Sequence, residues 1–246
     1  MMSFYKFYAL MINMIKEVTK LCFIYIALGI YTLASIIGSK RARQKLTQIY
    51  RQLLYVENLP QKDLNHYVNQ DITLQLPFVN YHNVEGDRDS LLNLETQRFL
   101  ALIAQIQKPK TILEIGFFMG SSMRIWLENT TNTHITSVDI DFSKNPNYLK
   151  QLEANKRVQL INKDSKELTP KDFKEKFDLI FIDGAHDYQS IKSDTELAFQ
   201  LITPSGIIIW DDNKYDFPGV WKYLNELQKN FPLKHIPQTS LVILEN

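Results

Sequence analysis

A chain of 246 residues has room for one full α/β domain with an appendage, and two complete enzyme domains would be crowded. With 45% hydrophobic, 12% aromatic and 22% charged residues and only 8 Gly and 9 Pro, collagen-like, low-complexity and wholly disordered readings are excluded. A single cysteine, Cys22, excludes a disulfide framework and a four-cysteine zinc site, and the net charge of +1 hides an uneven split along the chain.

Residues 1–60 hold eight Lys and Arg against Glu17 and Glu57, whereas the remainder holds 20 basic against 25 acidic side chains. The acidic excess of the larger part argues against a nucleic-acid groove. From Leu21 to Ser39 run 19 residues without a charge, bounded by Lys20 and Lys40-Arg41. As a helix this run reaches ~28 Å, close to the ~30 Å hydrocarbon layer of a bilayer. The pattern predicts an N-terminal hydrophobic helix that anchors the protein in a membrane. Tyr25, Tyr31, Thr32 and Ser35 leave a buried or interfacial helix as the alternative. Lys40, Arg41, Arg43 and Lys45 outweigh the charge before the run, which places the following domain in the cytoplasm by the positive-inside rule. Residues 40–56 show apolar side chains at helical spacing on a basic background, which suits a helix on anionic headgroups or a solvated connecting helix. The expected division is an anchor and basic juxtamembrane segment over 1–60, a connector over 61–89 and a catalytic domain over 90–246.

The third segment alternates helical periods with short apolar runs. Helices are predicted over 91–106, 119–128, 145–154, 188–201 and 220–230, and strands over 111–116, 134–140, 158–162, 177–183 and 206–211. Strands separated by helices at this spacing call for an α/β fold, a mainly parallel sheet with helices on both faces. Ligands of such sheets bind at the carboxyl ends of the strands.

The first strand ends in E-I-G-F-F-M-G, with Glu114, Gly116 and Gly120, and Ser121 opens the following helix. Glycine lets the backbone turn sharply and a ligand approach it, and the helix start offers unpaired N–H donors. The spacing departs from the dinucleotide G-x-G-x-x-G, which disfavours a nicotinamide-dependent oxidoreductase. Asp139 ends the second strand, 23 residues beyond Gly116, where a carboxylate can accept from ribose hydroxyls. Asp164 with Ser165 follows the third strand and is placed to reach an adenine amino group.

The order and spacing of these segments, with F-D-L-I-F-I-D-G-A-H-D-Y and T-P-S-G-I-I-I-W-D-D further on, resemble the class I S-adenosylmethionine-dependent methyltransferases from about residue 85 onward. The resemblance implies a Rossmann-like sandwich that binds S-adenosylmethionine. Gly116 and Gly120, with Glu114 and Ser121, would serve the methionine part, Asp139 the ribose, and Asp164 and Ser165 the adenine. Phe117-Phe118 makes this glycine turn bulkier than in many relatives.

Asp183 ends the fourth strand with His186 three residues on, and Asp211-Asp212 end the fifth. Carboxylates converging on one edge repel unless a cation or a shared proton intervenes, and oxygen ligands favour a divalent metal such as Mg²⁺ or Mn²⁺. This set looks like the metal-dependent O-methyltransferases of the catechol, caffeoyl-CoA and macrocin types. The likeness implies Asp183, Asp211 and Asp212 as metal ligands, with Asp183 and His186 catalytic and His186 the base. Local capping by Asp211, with Asp212 in solvent, is the alternative.

The reaction expected is methyl transfer to a hydroxyl of a small molecule or of a lipid-linked or free glycan. A second copy of the chain is a candidate partner. A metal-independent enzyme, a non-catalytic cofactor-binding membrane protein and a hydroxylase-like member of the fold stay open.

Overall fold

The structure is a computed structural model in which residues 92–237 and 239–245 are described, all of them within the unit Leu59–Asn246. Helix α1 spans Leu94–Gln107 and strand β1 Thr111–Ile115. Then follow α2 (Ser121–Asn129), β2 (His134–Asp139), α3 (Pro146–Glu153) and β3 (Val158–Asn162). Two single 3₁₀ turns, Ser165–Glu167 and Pro170–Asp172, lead to β4 (Phe177–Ile182). The chain closes with α4 (Tyr188–Leu201), β5 (Ile202–Trp210), α5 (Pro218–Leu227), β6 (Lys234–His235) and β7 (Val242–Glu245).

The seven strands form one sheet in the order β3-β2-β1-β4-β5-β7-β6. β1 to β5 run parallel, and β7 joins β5 antiparallel with β6 beyond it. The strand order reverses between β1 and β4, so their carboxyl ends border the crevice where α/β sheets hold ligands.

Alternation along the buried strands divides the core. Leu113, Ile115, Ile180 and Ile182 pack with α4 and α5, whereas Ile112, Leu179 and Phe181 pack with Phe99, Leu100 and Ile103 of α1 and Met123 and Trp126 of α2. Local chemistry sets the helix starts. Asn93 Oδ1 accepts from Thr96 N (2.8 Å), Asp187 Oδ1 accepts from Gln189 N and Ser190 N, and Pro146 and Pro218 occupy first-turn positions that need no N–H.

The Rossmann-like α/β sheet agrees with the sequence reading. The structure adds β6 and β7 and extends the fifth strand back to Ile202, which follows α4 without a loop. The membrane-anchored, cytoplasmic placement expected from residues 21–39 is corrected. Among the described residues no helix is long and apolar enough to cross a membrane. The longest have 14 residues, about 21 Å, against a hydrocarbon layer of ~30 Å. The 21–39 run and the 61–89 connector themselves lie outside the described residues.

Candidate active site

Four neighbouring strand ends are tied together by backbone. Gly116 N donates to Val138 O (2.9 Å), Asp183 N to Ile115 O (2.8 Å) and Asp211 N to Ile182 O (3.0 Å). The ends of β2, β1, β4 and β5 therefore form one continuous ledge. Gly116 has φ 98, in the left-handed region open to glycine. Gly120, φ 77, opens α2, and a Cβ there would meet the rings of Phe117 and Tyr148 at 2.7 Å.

Asp139 holds the turn between these glycines. Its Oδ2 accepts from Phe117 N (2.6 Å) and Phe118 N (3.0 Å), and its Oδ1 from Asp141 N (2.8 Å). The two phenylalanines part company: Phe117 is buried against Phe142 and Tyr148, whereas Phe118 is turned out with φ 47. The bulk noted in the sequence thus lies partly beneath the turn. Ile140, directly after Asp139, is 70% exposed, an apolar surface at the ledge that sequence reasoning passed over.

Glu114 is fully buried and presents no surface to a ligand. Trp126 Nε1 donates to its Oε1 (3.2 Å) and Ser137 Oγ to its Oε2 (2.6 Å). Burial pushes its carboxyl up to about 7, against the lowering by hydrogen bonds from Ser122, Ser137 and Trp126. Ser121 is half-buried at the first position of α2. Asp164 caps the turn after β3 by accepting from Lys166 N (3.0 Å), and Ser165 hydrogen-bonds Asp194 of α4. Asp194 is another residue the sequence did not disclose: it is buried, its Oδ1 has no partner, and desolvation lifts it to about 6.

At the ends of β4 and β5 the acidic residues do meet. Asp183 is held well above the usual carboxylate range by burial and then by the charges of Asp211 and Asp212. Asp211 is raised by burial and by Asp212, while its Oδ1 accepts from Ser240 Oγ and from Asp212 N (2.6 Å). Burial also opposes the charge of Asp212, but the hydrogen bond from His186 and the Lys214 ammonium outweigh it and hold that carboxyl low. His186 Nε2 donates to Asp212 Oδ2 (2.7 Å), and Lys214 Nζ lies 2.7 Å from Asp212 Oδ1. The His186 ring lies 3.9 Å from the Phe217 ring. Gly219, at the start of α5, lets that helix approach this loop, since a Cβ there would stand 2.5 Å from His186 O.

Asp183, His186 and Asp212 each offer a donor atom within 4.8 Å of the others. That trio differs from the set expected from sequence: His186 enters it, and Asp211 stays outside, with one oxygen taken by Ser240 and its own strand end. Both oxygens of Asp212 are engaged by cationic or N–H donors. A divalent metal at this trio would have to displace or share the contacts that Lys214 and His186 make with Asp212. Lys214 and Ser240 had no signal in the sequence beyond their residue types.

Residues 113–213, which run from β1 to just past β5, match the family model for a methyltransferase domain. The matched segment is thus similar to a methyltransferase domain over the strands that carry the ledge. A relative, the O-methyltransferase hkm8 of Aspergillus hancockii, is 31% identical over 124 residues, 48% of this chain and 48% of its own length. The chain thus aligns with about half of that relative. The methyltransferase PaMTH1 of Podospora anserina, solved with S-adenosylhomocysteine, is 22% identical with a TM-score of 0.53, covering 64% of this chain and 80% of that one. The O-methyltransferase TomG of Streptomyces achromogenes, solved with S-adenosylmethionine, is 16% identical with a TM-score of 0.51, covering 65% and 83%. At these identities the two structures show a shared fold.

Proposed function

We propose that the chain is an S-adenosylmethionine-dependent O-methyltransferase acting on a small-molecule hydroxyl, with residues 90–246 as the catalytic unit and His186 as the base. The observation that carries this reading is the 2.7 Å bond between His186 Nε2 and Asp212 Oδ2 at the ledge where β4 and β5 end. A carboxylate only accepts, so Nε2 is the protonated nitrogen of the neutral ring, and Nδ1 is left with its lone pair to take a proton.

The cofactor supplies a methyl group on a sulfonium. The Gly116 turn offers backbone at close approach, the α2 start offers N–H donors with Ser121, and Ile140 offers an apolar face for a base. Asp139 and Asp164 retain lone pairs beyond those given to the backbone, enough for ribose and adenine donors. Glu114 binds no ligand in this reading; it ties β1 to Trp126 of α2 and Ser137 of β2.

Methyl transfer needs alignment and an oxygen nucleophile more than covalent help. His186 accepts the hydroxyl proton as the new oxygen–carbon bond forms, and Asp212 steadies the imidazolium produced. Burial and the charges of Asp211 and Asp212 raise the Asp183 carboxyl, which favours the protonated form able to donate to the acceptor. A metal-assisted version draws on the cluster of Asp183, His186 and Asp212, but it makes His186 a ligand and removes it as the base.

Calorimetric titration with S-adenosylmethionine, followed by assay of S-adenosylhomocysteine release over a panel of hydroxyl compounds with and without EDTA, tests the proposal. Saturable binding and acceptor-dependent release are expected. Binding without release over the panel would favour a non-catalytic binder, and no binding would overturn the reading altogether.

A further inference from the structure

We propose that Lys214 serves as the resident cation of the acidic ledge: by holding Asp212 it excludes a divalent metal from the position that Asp183, His186 and Asp212 outline. Three carboxylates end β4 and β5, and the structure already answers them with a positive charge from the chain itself. Lys214 Nζ lies 2.7 Å from Asp212 Oδ1, while the other oxygen takes His186 Nε2 at the same distance.

The ammonium is placed there by the backbone. Asp212 has φ 58, in the left-handed region, and Lys214 N donates to Asp212 O at 2.7 Å, closing a three-residue turn centred on Asn213. The chain thereby folds back on itself just past β5, and the lysine reaches the carboxylate two residues before it. Phe217 completes the arrangement. Its ring lies 5.1 Å from Lys214 Nζ and 3.9 Å from the His186 ring, so one aromatic face borders both donors that grip Asp212. Phe217 N also donates to Lys214 O (3.1 Å), which fixes the ring beside the lysine.

A divalent ion on Asp212 would need an oxygen at ~2.0 to 2.6 Å. It would then stand within a few ångströms of an ammonium on the same carboxylate, where like charges repel. Removal of the ammonium alone should therefore open the site. The Lys214 side chain is 38% exposed, so its replacement disturbs little packing.

The test is titration of the full chain with Mn²⁺, followed by the electron paramagnetic resonance of free Mn²⁺. Wild type and Lys214→Arg, which keeps the charge, are expected to bind Mn²⁺ only weakly. Lys214→Met, and Lys214→Gln as a second variant should the first fail to fold, are expected to bind at least tenfold more tightly. Adding Asp183→Asn to either should abolish the gain. Equal Mn²⁺ affinity with and without Lys214, whether tight or absent, would overturn the proposal, as would a gain that survives Asp183→Asn. The readout is independent of turnover, so failure here leaves the role of His186 standing, and failure of that role leaves this inference standing.

Discussion

Gly116 lies so close to Asp183 that a Cβ built on the glycine would stand 1.9 Å from the Asp183 carbonyl oxygen. The glycine turn after β1 and the acidic ledge after β4 are thus in close backbone approach.

Gly116→Ala is accordingly expected to be among the most damaging single changes in the described residues. The φ of 98 alone costs about 1–3 kcal/mol for a side-chain-bearing residue, and overlap with fixed backbone adds to it. Chemical denaturation should show a loss of about 3 kcal/mol or more, together with weakened S-adenosylmethionine binding. Stability within about 0.5 kcal/mol of wild type would show that the turn is not fixed as described.

Asp139 fastens the same turn from the other side through Phe117 N and Phe118 N. Asp139→Ala removes these bonds and the proposed acceptor for the ribose, so S-adenosylmethionine affinity should fall by about 1.5–3 kcal/mol, roughly 10- to 150-fold. Calorimetry on the folded variant decides it. An unchanged affinity would place the ribose elsewhere.

Much of the fold is legible in the sequence, and what is not has a physical reason. Strands β1 to β5 and the helices between them announce themselves as apolar runs and helical periods. β7 is a short apolar run whose role depends on antiparallel pairing with β5, a long-range register that no local period encodes. Asp183, His186 and Asp212 could be placed because strand ends in a parallel sheet are where ligands bind. Lys214 could not, since its function depends on the left-handed turn at Asp212. Nor could Ser240, which reaches Asp211 from 29 residues away. Glu114 stands beside the glycine turn in sequence, but β1 is buried on both faces and its alternation sets Glu114 against Trp126 of α2.

That burial has a consequence for stability against pH. The Glu114 carboxyl is raised from 4.5 to about 7, and that of Asp194 from 3.8 to about 6, burial being the main cause for both. A carboxyl raised on folding binds protons more tightly in the folded state, so stability is greatest below the unfolded value and declines as pH rises through the folded one. Wild type should lose stability between about pH 4 and 7, with Glu114 accounting for about 3 kcal/mol of it. Asp187, lowered by hydrogen bonds from Ser190, acts in the opposite sense but only at more acidic pH. Glu114→Gln can still accept from Trp126 and can donate to Ser137, so it should flatten the decline while keeping the fold. Thermal unfolding at pH 5, 6 and 7 measures this, and an unaltered slope in the variant would rule out Glu114 as its source.

The last prediction concerns His186 and Asp212 as a pair. If His186 takes the hydroxyl proton, His186→Ala should lower kcat by roughly 10²- to 10⁴-fold. Affinity for S-adenosylmethionine should stay near wild type, because the proposed cofactor site lies at the ends of β1, β2 and β3. Asp212→Asn keeps the shape of the side chain and one acceptor oxygen but loses the charge that steadies the imidazolium, so its kcat should fall less. Since Asp212 acts through the ring, the double variant should be no slower than His186→Ala alone, as expected for residues that work as a unit. Multiplicative losses in the double variant would mean that Asp212 contributes separately, by contact with the acceptor or through a bound cation. A His186→Ala enzyme with wild-type kcat on its acceptor would remove the base from the mechanism, and Asp183 on the same ledge would be the next residue to vary.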